Sequence, residues 1–515
     1  MYIKKVSEMN LDEKLGQLIL AGFHSTEFDD DLKDIIENHH IGNIIMFTRN
    51  YTSAAQMRKL TKKIHEECIK NNGIIPFIAI DQEGGLVTRM MTDVTFAPGP
   101  MTCTASSKDA SFKAGKMLAE DMIKLGMNLN LAPSLDVNNN PDNPVINVRS
   151  YSDDPKVVSE MGANFIKGSM TYGVLPCAKH FPGHGDCAVD SHLGLPIINY
   201  DSKRIHEVEM YPFIQNIDVP AIMSAHILFP LYDNVPATLS RKIITGVLRK
   251  ELNYKGLTIS DCLEMKAIAD NFGTPEGAVR AIKAGIDLVC ISHTKEYQLK
   301  TLELLKQEIV AGNISIEEID EHVERILKFK EKTLSYLEKY FYNQEEVSFS
   351  KENKQEALNI VESSLTHCFG KLPVLAKDTI VIAPAAKART IIEDEFDERN
   401  LASVLKKEFS DNKIVELIQT EEEKNKLLET IKNYQKVIFF SYNAAINPWQ
   451  VNLINEIISK KETFVISLKG PMDYHKYHNL ENYMCMYEYT PNSITTIVDY
   501  FKGKLTPKGK LPIKL

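Results

Sequence analysis

No window of this 515-residue chain reaches the roughly 18 apolar residues that a membrane-spanning helix needs. The N-terminal stretch MYIKKVSEMNLDEKLGQLIL has no uninterrupted apolar centre either, because Asp12, Glu13 and Lys14 stand inside its only candidate segment. It reads as the start of the fold rather than as an export signal. A basic stripe is also missing: Lys and Arg are scattered and the formal net charge is −9, which argues against non-specific nucleic-acid binding. The eight cysteines (68, 103, 177, 187, 262, 290, 368, 485) form no CxxC pair and no regular series, the usage of a reduced, cytoplasmic protein. Internal repeats and low-complexity tracts are absent. What remains is ordinary globular composition, 43% hydrophobic and 25% charged, in a chain too long for one core.

Eight short apolar runs, rich in β-branched residues, punctuate residues 15–293: LGQLILAGF (15–23), IGNIIMF (41–47), PFIAID (76–81), MNLNLAPSLDV (127–137), GVLPCAKHF (173–181), PAIMSAH (220–226), KGLTISD (255–261) and DLVCISH (287–293). Most are separated by helix-compatible stretches. Near-continuous apolar strands alternating with helices predict a parallel sheet covered on both faces. Eight such units in about 280 residues suit a (β/α)₈ TIM barrel better than an open sheet. Six of the runs end on a polar or titratable residue: Asp81, Asp136, His180, His226, Asp261 and His293. A barrel gathers all its strand C-termini at one mouth, whereas a doubly wound sheet uses only those beside its switch point.

Beyond the barrel, Ser315-x-x-Glu318 has the form of a capping box and opens a helix with Ile316, Ile319, Val323, Ile326, Leu327, Leu334 and Leu337 at helical spacing. A polar stretch near 342–355 reads as a linker, followed by a helix over about 353–366. Strand-like runs then return at 379–386, 413–418, 436–442 and 463–470, alternating with helices, which predicts a smaller α/β sandwich. The expected organisation is a catalytic barrel over 1–340, linker and helix over 341–375, and the sandwich domain over 376–515.

The chemistry concentrates in K-H-F-P-G-H-G-D-C-A-V-D-S-H, residues 179–192, which leaves the fifth strand with three histidines, two aspartates and a lysine. A core cannot house that many ionisable groups without partners. Two readings stay open on local evidence. His180, His184, Asp190 and His192 are all possible zinc ligands, although their spacing matches no short metal motif and Lys179 adds a repulsive cation. Alternatively, Asp190 and His192 face the same side of an extended segment, and an ionised Asp190 favours the imidazolium of His192, a proton donor suited to near-neutral pH. Asp261, closing LTISD, is equally readable as a carboxylate nucleophile and as the N-cap of a following helix. His226 and His293 read more readily as structural histidines than as catalysts. Cys262 has no base paired with it in the sequence.

Four ordered motifs resemble family 3 glycoside hydrolases: D-Q-E-G-G-L-V-T-R (81–89), N-P-V-I-N-V-R-S-Y (143–151), K-H-F-P-G-H-G followed by D-S-H (179–192), and S-D-x-x-E-M (260–265). The D-S-H element looks like the β-N-acetylglucosaminidase branch. ISLKGPMDY (466–474) and the segment 489–515 resemble the second domain of its two-domain members. The resemblance implies Asp261 as nucleophile, His192 as acid/base and Asp190 as the residue that tunes it. It further implies that Asp81, Arg89, Arg149, Lys179 and His180 hold the sugar and its N-acetyl group. The chain departs from the pattern at Leu86, where arginine is usual, and at Asn147, where glycine is usual.

The expected activity is therefore that of a hydrolase, a retaining β-N-acetylhexosaminidase of carbohydrate metabolism or peptidoglycan recycling. It would release terminal N-acetylglucosamine from muropeptides or chitin fragments, with no metal or cofactor and with no nucleic-acid or membrane partner, as a monomer or weak homodimer. Histidine is neutral once it has given up its proton and, unlike a carboxylate, does not repel phosphate. A phosphorylase using inorganic phosphate is thus the alternative, followed by a non-catalytic sugar-binding protein.

Overall fold

The computed structural model describes residues 3–187, 194–384 and 400–515. Eight strands follow one another in chain order: β1 (Ile19–Ala21), β2 (Asn43–Met46), β3 (Phe77–Ile80), β4 (Leu129–Asn130), β5 (Leu175–Phe181), β6 (Ala221–Ser224), β7 (Leu257–Ser260) and β8 (Val289–Ile291). Each from β1 to β6 pairs in parallel with the next, and β8 pairs with β1 through Ile19 and Val289. The ring closes at a parallel bridge between Ile259 and Leu288, where Ser260 N–H donates to the Leu288 carbonyl at 2.9 Å. Every residue of these strands is buried, so the expected runs carry no polar alternation. All eight runs contain a strand. The first is shortened, because Asn10 and Glu13 form a capping box that makes Leu11–Gly16 a helix and leaves only Ile19–Ala21 extended.

The closing seam is pinned by a buried carboxylate that the motifs do not include. Asp287, just before β8, accepts from Thr258 N–H at 2.9 Å and Arg249 Nη2 at 2.6 Å on one oxygen. Its other oxygen accepts from His322 Nδ1 at 2.7 Å and Arg325 Nε at 2.9 Å. Those last two lie on the helix Ile316–Leu337, which opens with the expected Ser315–Glu318 capping box. Asp287 therefore ties the strand seam to the helix that follows the barrel.

The second sheet has six strands: β9 (Thr366–Phe369), β10 (Thr379–Pro384), β11 (Lys413–Leu417), β12 (Lys436–Ser441), β13 (Glu462–Ser467) and β14 (Asn482–Cys485), in the order β9-β14-β13-β12-β10-β11. Only the β9–β14 pair is antiparallel. Four of the six match the sequence expectation. β9 and β14 escape it because each is four residues long and THCF and NYMC mix polar with apolar side chains. The helix Lys351–Ser364 joins the two parts physically: Ala357 and Ile360 belong to the barrel core, and Val361 to the core of the second sheet.

The second sheet's loops reach into the barrel's loops. Buried Glu488 accepts from Gly99 N–H at 2.9 Å and Thr102 Oγ1 at 2.7 Å, and Asn492 Nδ2 donates to the Phe96 carbonyl at 3.0 Å. Both departures from the family pattern lie here. Leu86 belongs to the apolar cluster of the second sheet, with Met101, Ala105 and Val148. Asn147 sits at φ 40°, a left-handed conformation that asparagine tolerates better than most residues. A Cβ at Gly470 would lie 2.6 Å from Asn147 Oδ1, so the second domain's loop approaches the Asn147 side chain closely and a side chain at 470 would displace it.

Burial alone would raise the Asp287 carboxyl, but Arg249, His322 and Arg325 outweigh it and hold it well below its ordinary value of 3.8. Its contribution to stability is accordingly present above about pH 4 and is lost as pH falls through the lowered folded value. Asp287→Ala should cost about 3–5 kcal/mol in urea unfolding, the usual loss when one member of a buried ion cluster is removed. The folded fraction should keep the wild-type KM, because Asp287 lies at the end of the barrel away from the strand C-termini.

Candidate active site

At and just beyond the strand C-termini lies a cavity of about 510 Å³. Its lining includes Phe47 and Arg49 after β2, Asp81 after β3, Lys179 and His180 of β5, Asp261 and Cys262 after β7, and His293 after β8. Arg89, Arg149, His184 and Glu264 complete its polar wall. Six of the eight site residues expected from the resemblance, Asp81, Arg89, Arg149, Lys179, His180 and Asp261, thus share one cavity. Asp190 and His192 lie outside the described residues.

The centre of this wall is an alternating ion cluster. Lys179 Nζ stands 2.7 Å from Asp81 Oδ1 and 2.7 Å from Glu83 Oε1. Glu83 also receives Arg149 as a fork, Nη2 to Oε1 at 2.7 Å and Nε to Oε2 at 3.0 Å. Lys179 and Glu83 are almost fully buried, while the Asp81 side chain keeps 18% exposure toward the cavity. Burial opposes ionisation of Glu83, yet the charges of Arg149 and Lys179 outweigh it and hold the carboxyl well below its usual range. Burial likewise works against the Lys179 and Arg149 cations, and their carboxylate partners more than compensate. Arg149 is therefore an interior ion-pair residue and a cavity residue at once. Glu83 stands within D-Q-E-G-G, but a glutamate in a loop motif does not reveal that both of its partners are cations.

A second carboxylate organises the histidines. Asp136 is fully buried and accepts from His180 Nδ1 at 2.7 Å, from His180 N–H at 3.1 Å and from His184 N–H at 2.7 Å. Its place at a strand end was visible in the sequence, but its function is to hold other residues, not to face the cavity. Burial, reinforced by repulsion from His180, lowers His184 to about 4. His184 is thus neutral at pH 7 and a poor proton donor there.

Asp261 does not cap a helix. The next helix, Lys266–Phe272, starts five residues on with Met265 at its N-cap, and Asp261 Oδ1 accepts from Cys262 N–H at 2.7 Å. The turn between is fixed by Leu263 N–H to the Cys290 carbonyl at 3.0 Å and by His226 Nε2 at 3.0 Å from the Cys262 carbonyl. Nδ1 of His226 is also 2.9 Å from Thr238 Oγ1, so both ring nitrogens of this histidine meet partners on neighbouring turns. His293 differs from expectation: it is exposed, lines the cavity and stacks 5.5 Å from Phe47. Arg49, unmarked in the sequence, lies over the same Phe47 ring at 4.2 Å and donates to the Phe23 and Ser292 carbonyls.

Removing Glu83 should damage both fold and site. Glu83→Ala leaves Arg149 and Lys179 facing each other without their shared anion. Urea unfolding should show a loss of about 3–5 kcal/mol, and the folded fraction should show a raised KM. A wild-type KM in a destabilised Glu83→Ala protein would confine the cluster to a structural role.

Residues 10–329 match the family model described as the glycosyl hydrolase family 3 N terminal domain. The chain is 36% identical over 334 residues to the Beta-hexosaminidase A of Pseudoalteromonas piscicida, covering 60% of this chain but only 56% of that relative's length. It is 35% identical over 285 residues to a Beta-hexosaminidase of Photobacterium profundum, covering 55% of this chain and 83% of that protein. The structure of a glycoside hydrolase family 3 beta-N-acetylglucosaminidase from Paenibacillus sp. str. FPU-7 superimposes with a TM-score of 0.91 at 34% identity, over 98% of this chain and 99% of that one. Among the described residues no helix is long and apolar enough to cross a membrane. By family model, sequence identity and fold together, this chain belongs to glycosyl hydrolase family 3.

Proposed function

We propose that this chain is a retaining exo-β-N-acetylglucosaminidase acting in the cytoplasm on muropeptides or chitin fragments. The observation that carries the reading is the position of Asp261: a carboxylate beyond β7, in the same cavity as the Asp81–Lys179–Glu83–Arg149 cluster. The names of the relatives support the choice of N-acetylhexosamine as the sugar. Asp81 accepts from vicinal sugar hydroxyls, while Lys179, Arg89 and Arg149 supply charge-assisted donors. Asp261 attacks the anomeric carbon as His192 protonates the departing oxygen, giving a glycosyl-enzyme ester and a free aglycone. Neutral His192 then takes a proton from water, whose oxygen displaces Asp261 and restores both groups. Asp190 keeps His192 protonated for the first step and orients its ring. The low proton affinity of His184 favours assigning proton donation to His192.

Asp261→Asn should abolish turnover while leaving the fold intact, because the amide is nearly isosteric but a poor nucleophile. A 2-fluoro sugar with a good leaving group should leave a covalent adduct on Asp261 in the wild type, read by mass spectrometry. Near-wild-type turnover by Asp261→Asn would remove it from the role. Release of N-acetylglucosamine should be unchanged by added phosphate; accumulation of the sugar 1-phosphate would instead identify a phosphorylase.

His192→Ala should lose about 10²–10⁴ in rate on natural disaccharides and less in glycosylation with dinitrophenyl glycosides, whose leaving oxygens need little protonation. Asp190→Ala should show the same pattern more mildly, with the basic limb of the pH profile moved down because an anion that stabilises imidazolium is gone. The double variant should lose less than the product of the single losses. A His192→Ala defect indifferent to leaving-group pKa would show that another residue supplies the proton.

A further inference from the structure

Among the described residues, Cys262, Glu264 and His293 bring a thiol, a carboxylate and an imidazole to within 4.8 Å of one another. None has a part in the glycosidase mechanism above, and all three line the cavity. We propose that they form an inhibitory binding site for a thiophilic divalent cation of the zinc class at the mouth of the barrel.

The donor set is the first reason. One sulfur, one nitrogen and one oxygen ligand are what zinc accepts in three-ligand sites that keep a fourth position open. Calcium and magnesium, which want only oxygen, are poorly served by the same three groups. Geometry is the second. Cys262 and Glu264 belong to the turn after β7, and His293 follows β8, the neighbouring strand across the seam. The backbone of the first turn is held without any ion, and the second turn is tied to it through one oxygen of the Glu264 carboxylate, whose other oxygen is left for a ligand role. Met265 N–H donates to the Cys262 carbonyl at 3.1 Å, and His293 N–H donates to Glu264 Oε2 at 2.6 Å. The His293 carbonyl lies 3.0 Å from His24 Nε2.

Charge is the third consideration. Two cations line the cavity nearby: Lys266, two residues after Glu264, and Arg49, whose guanidinium is engaged with two carbonyls and senses both Cys262 and Glu264. They oppose a metal, but a thiolate and a carboxylate together balance the two charges of the ion. Binding expels the Cys262 thiol proton to solvent and forms the metal–sulfur bond. All three donors line the cavity, and Cys262 is the residue next to Asp261. A bound ion would therefore occupy the space of the substrate and raise KM. That inhibitory consequence rests on the glycosidase reading; the binding does not.

The two parts separate experimentally. The full-length chain, freed of metal with a chelator, is titrated with Co²⁺ and watched for thiolate-to-cobalt charge transfer, then with Zn²⁺ by calorimetry. One equivalent of each should bind, with the charge-transfer band present. Cys262→Ala should abolish the band and weaken Zn²⁺ binding by more than the about 10–100-fold that outer-shell partners are worth. His293→Ala, a change at an exposed position, should weaken binding while keeping the band. Zn²⁺ should raise the wild-type KM reversibly, with EDTA restoring it. No charge-transfer band, or Zn²⁺ affinity undiminished from wild type in both variants, overturns the site. Binding as described without any rise in KM supports the metal site and instead tells against the cavity as the place of catalysis.

Discussion

The site depends on one constraint: four charges, two of each sign, stand side by side at the mouth of the barrel, three of them buried and the fourth, Asp81, partly open to the cavity. Lys179 has been taken almost entirely out of water, which is tolerable only because Asp81 and Glu83 both stand at 2.7 Å. Glu83 in turn is held ionised by Lys179 and by the Arg149 fork. Since Asp81 and Glu83 follow β3, Lys179 belongs to β5, and Arg149 comes from the loop after β4, satisfying the charges fixes three consecutive strand ends relative to one another. Electroneutrality thus does the positioning that loop backbone alone could not. The members that line the cavity, Asp81, Lys179 and Arg149, are oriented by one another and by Glu83 behind them.

Each loop bearing these groups is backed by the second domain. The segment 84–105 receives Glu488 and Asn492, and Leu86, Met101 and Ala105 from it join that domain's apolar cluster. The Arg149 loop carries Val148 in the same cluster and meets Gly470 through Asn147. The two departures from the family pattern therefore sit where the barrel meets its neighbour. Leu86 adds apolar surface to that contact, and Asn147 keeps the left-handed turn that a glycine would have provided while filling the space beside Gly470. The second domain contributes no described side chain to the cavity wall, yet it braces the loops that do.

The barrel was readable because its strands are buried on both faces, and continuous apolar runs survive in the sequence as such. The strand-end rule then located Asp81, His180 and Asp261 at one mouth. What stayed hidden shares a physical cause. Glu83, Asp136 and Asp287 act through partners 66, 44 and 35 positions away respectively, in Arg149, His180 and His322, and no local pattern encodes such pairings. Arg49 was hidden because its role depends on carbonyls of Phe23 and Ser292, which only the closed ring brings beside it. The strands β9 and β14 were missed for a different reason: THCF and NYMC mix polar with apolar side chains, giving neither a continuous apolar run nor a strict alternation.

The ion clusters at the two ends of the barrel differ in what their charges face. Both contain carboxylates held ionised against burial by two or more cations. A perturbed proton affinity therefore does not by itself mark the working end. The difference is in how the charges are spent. Asp287 is fully enclosed, with both oxygens committed to the strand seam and to the helix behind it. Asp81 keeps a face toward a cavity of about 510 Å³, and Arg149, Lys179 and His180 line it too. Only a cluster that is over-determined from behind and incomplete in front can exchange part of its solvation for a ligand without losing its geometry. In this barrel that condition is met at the strand C-termini, beside Asp261.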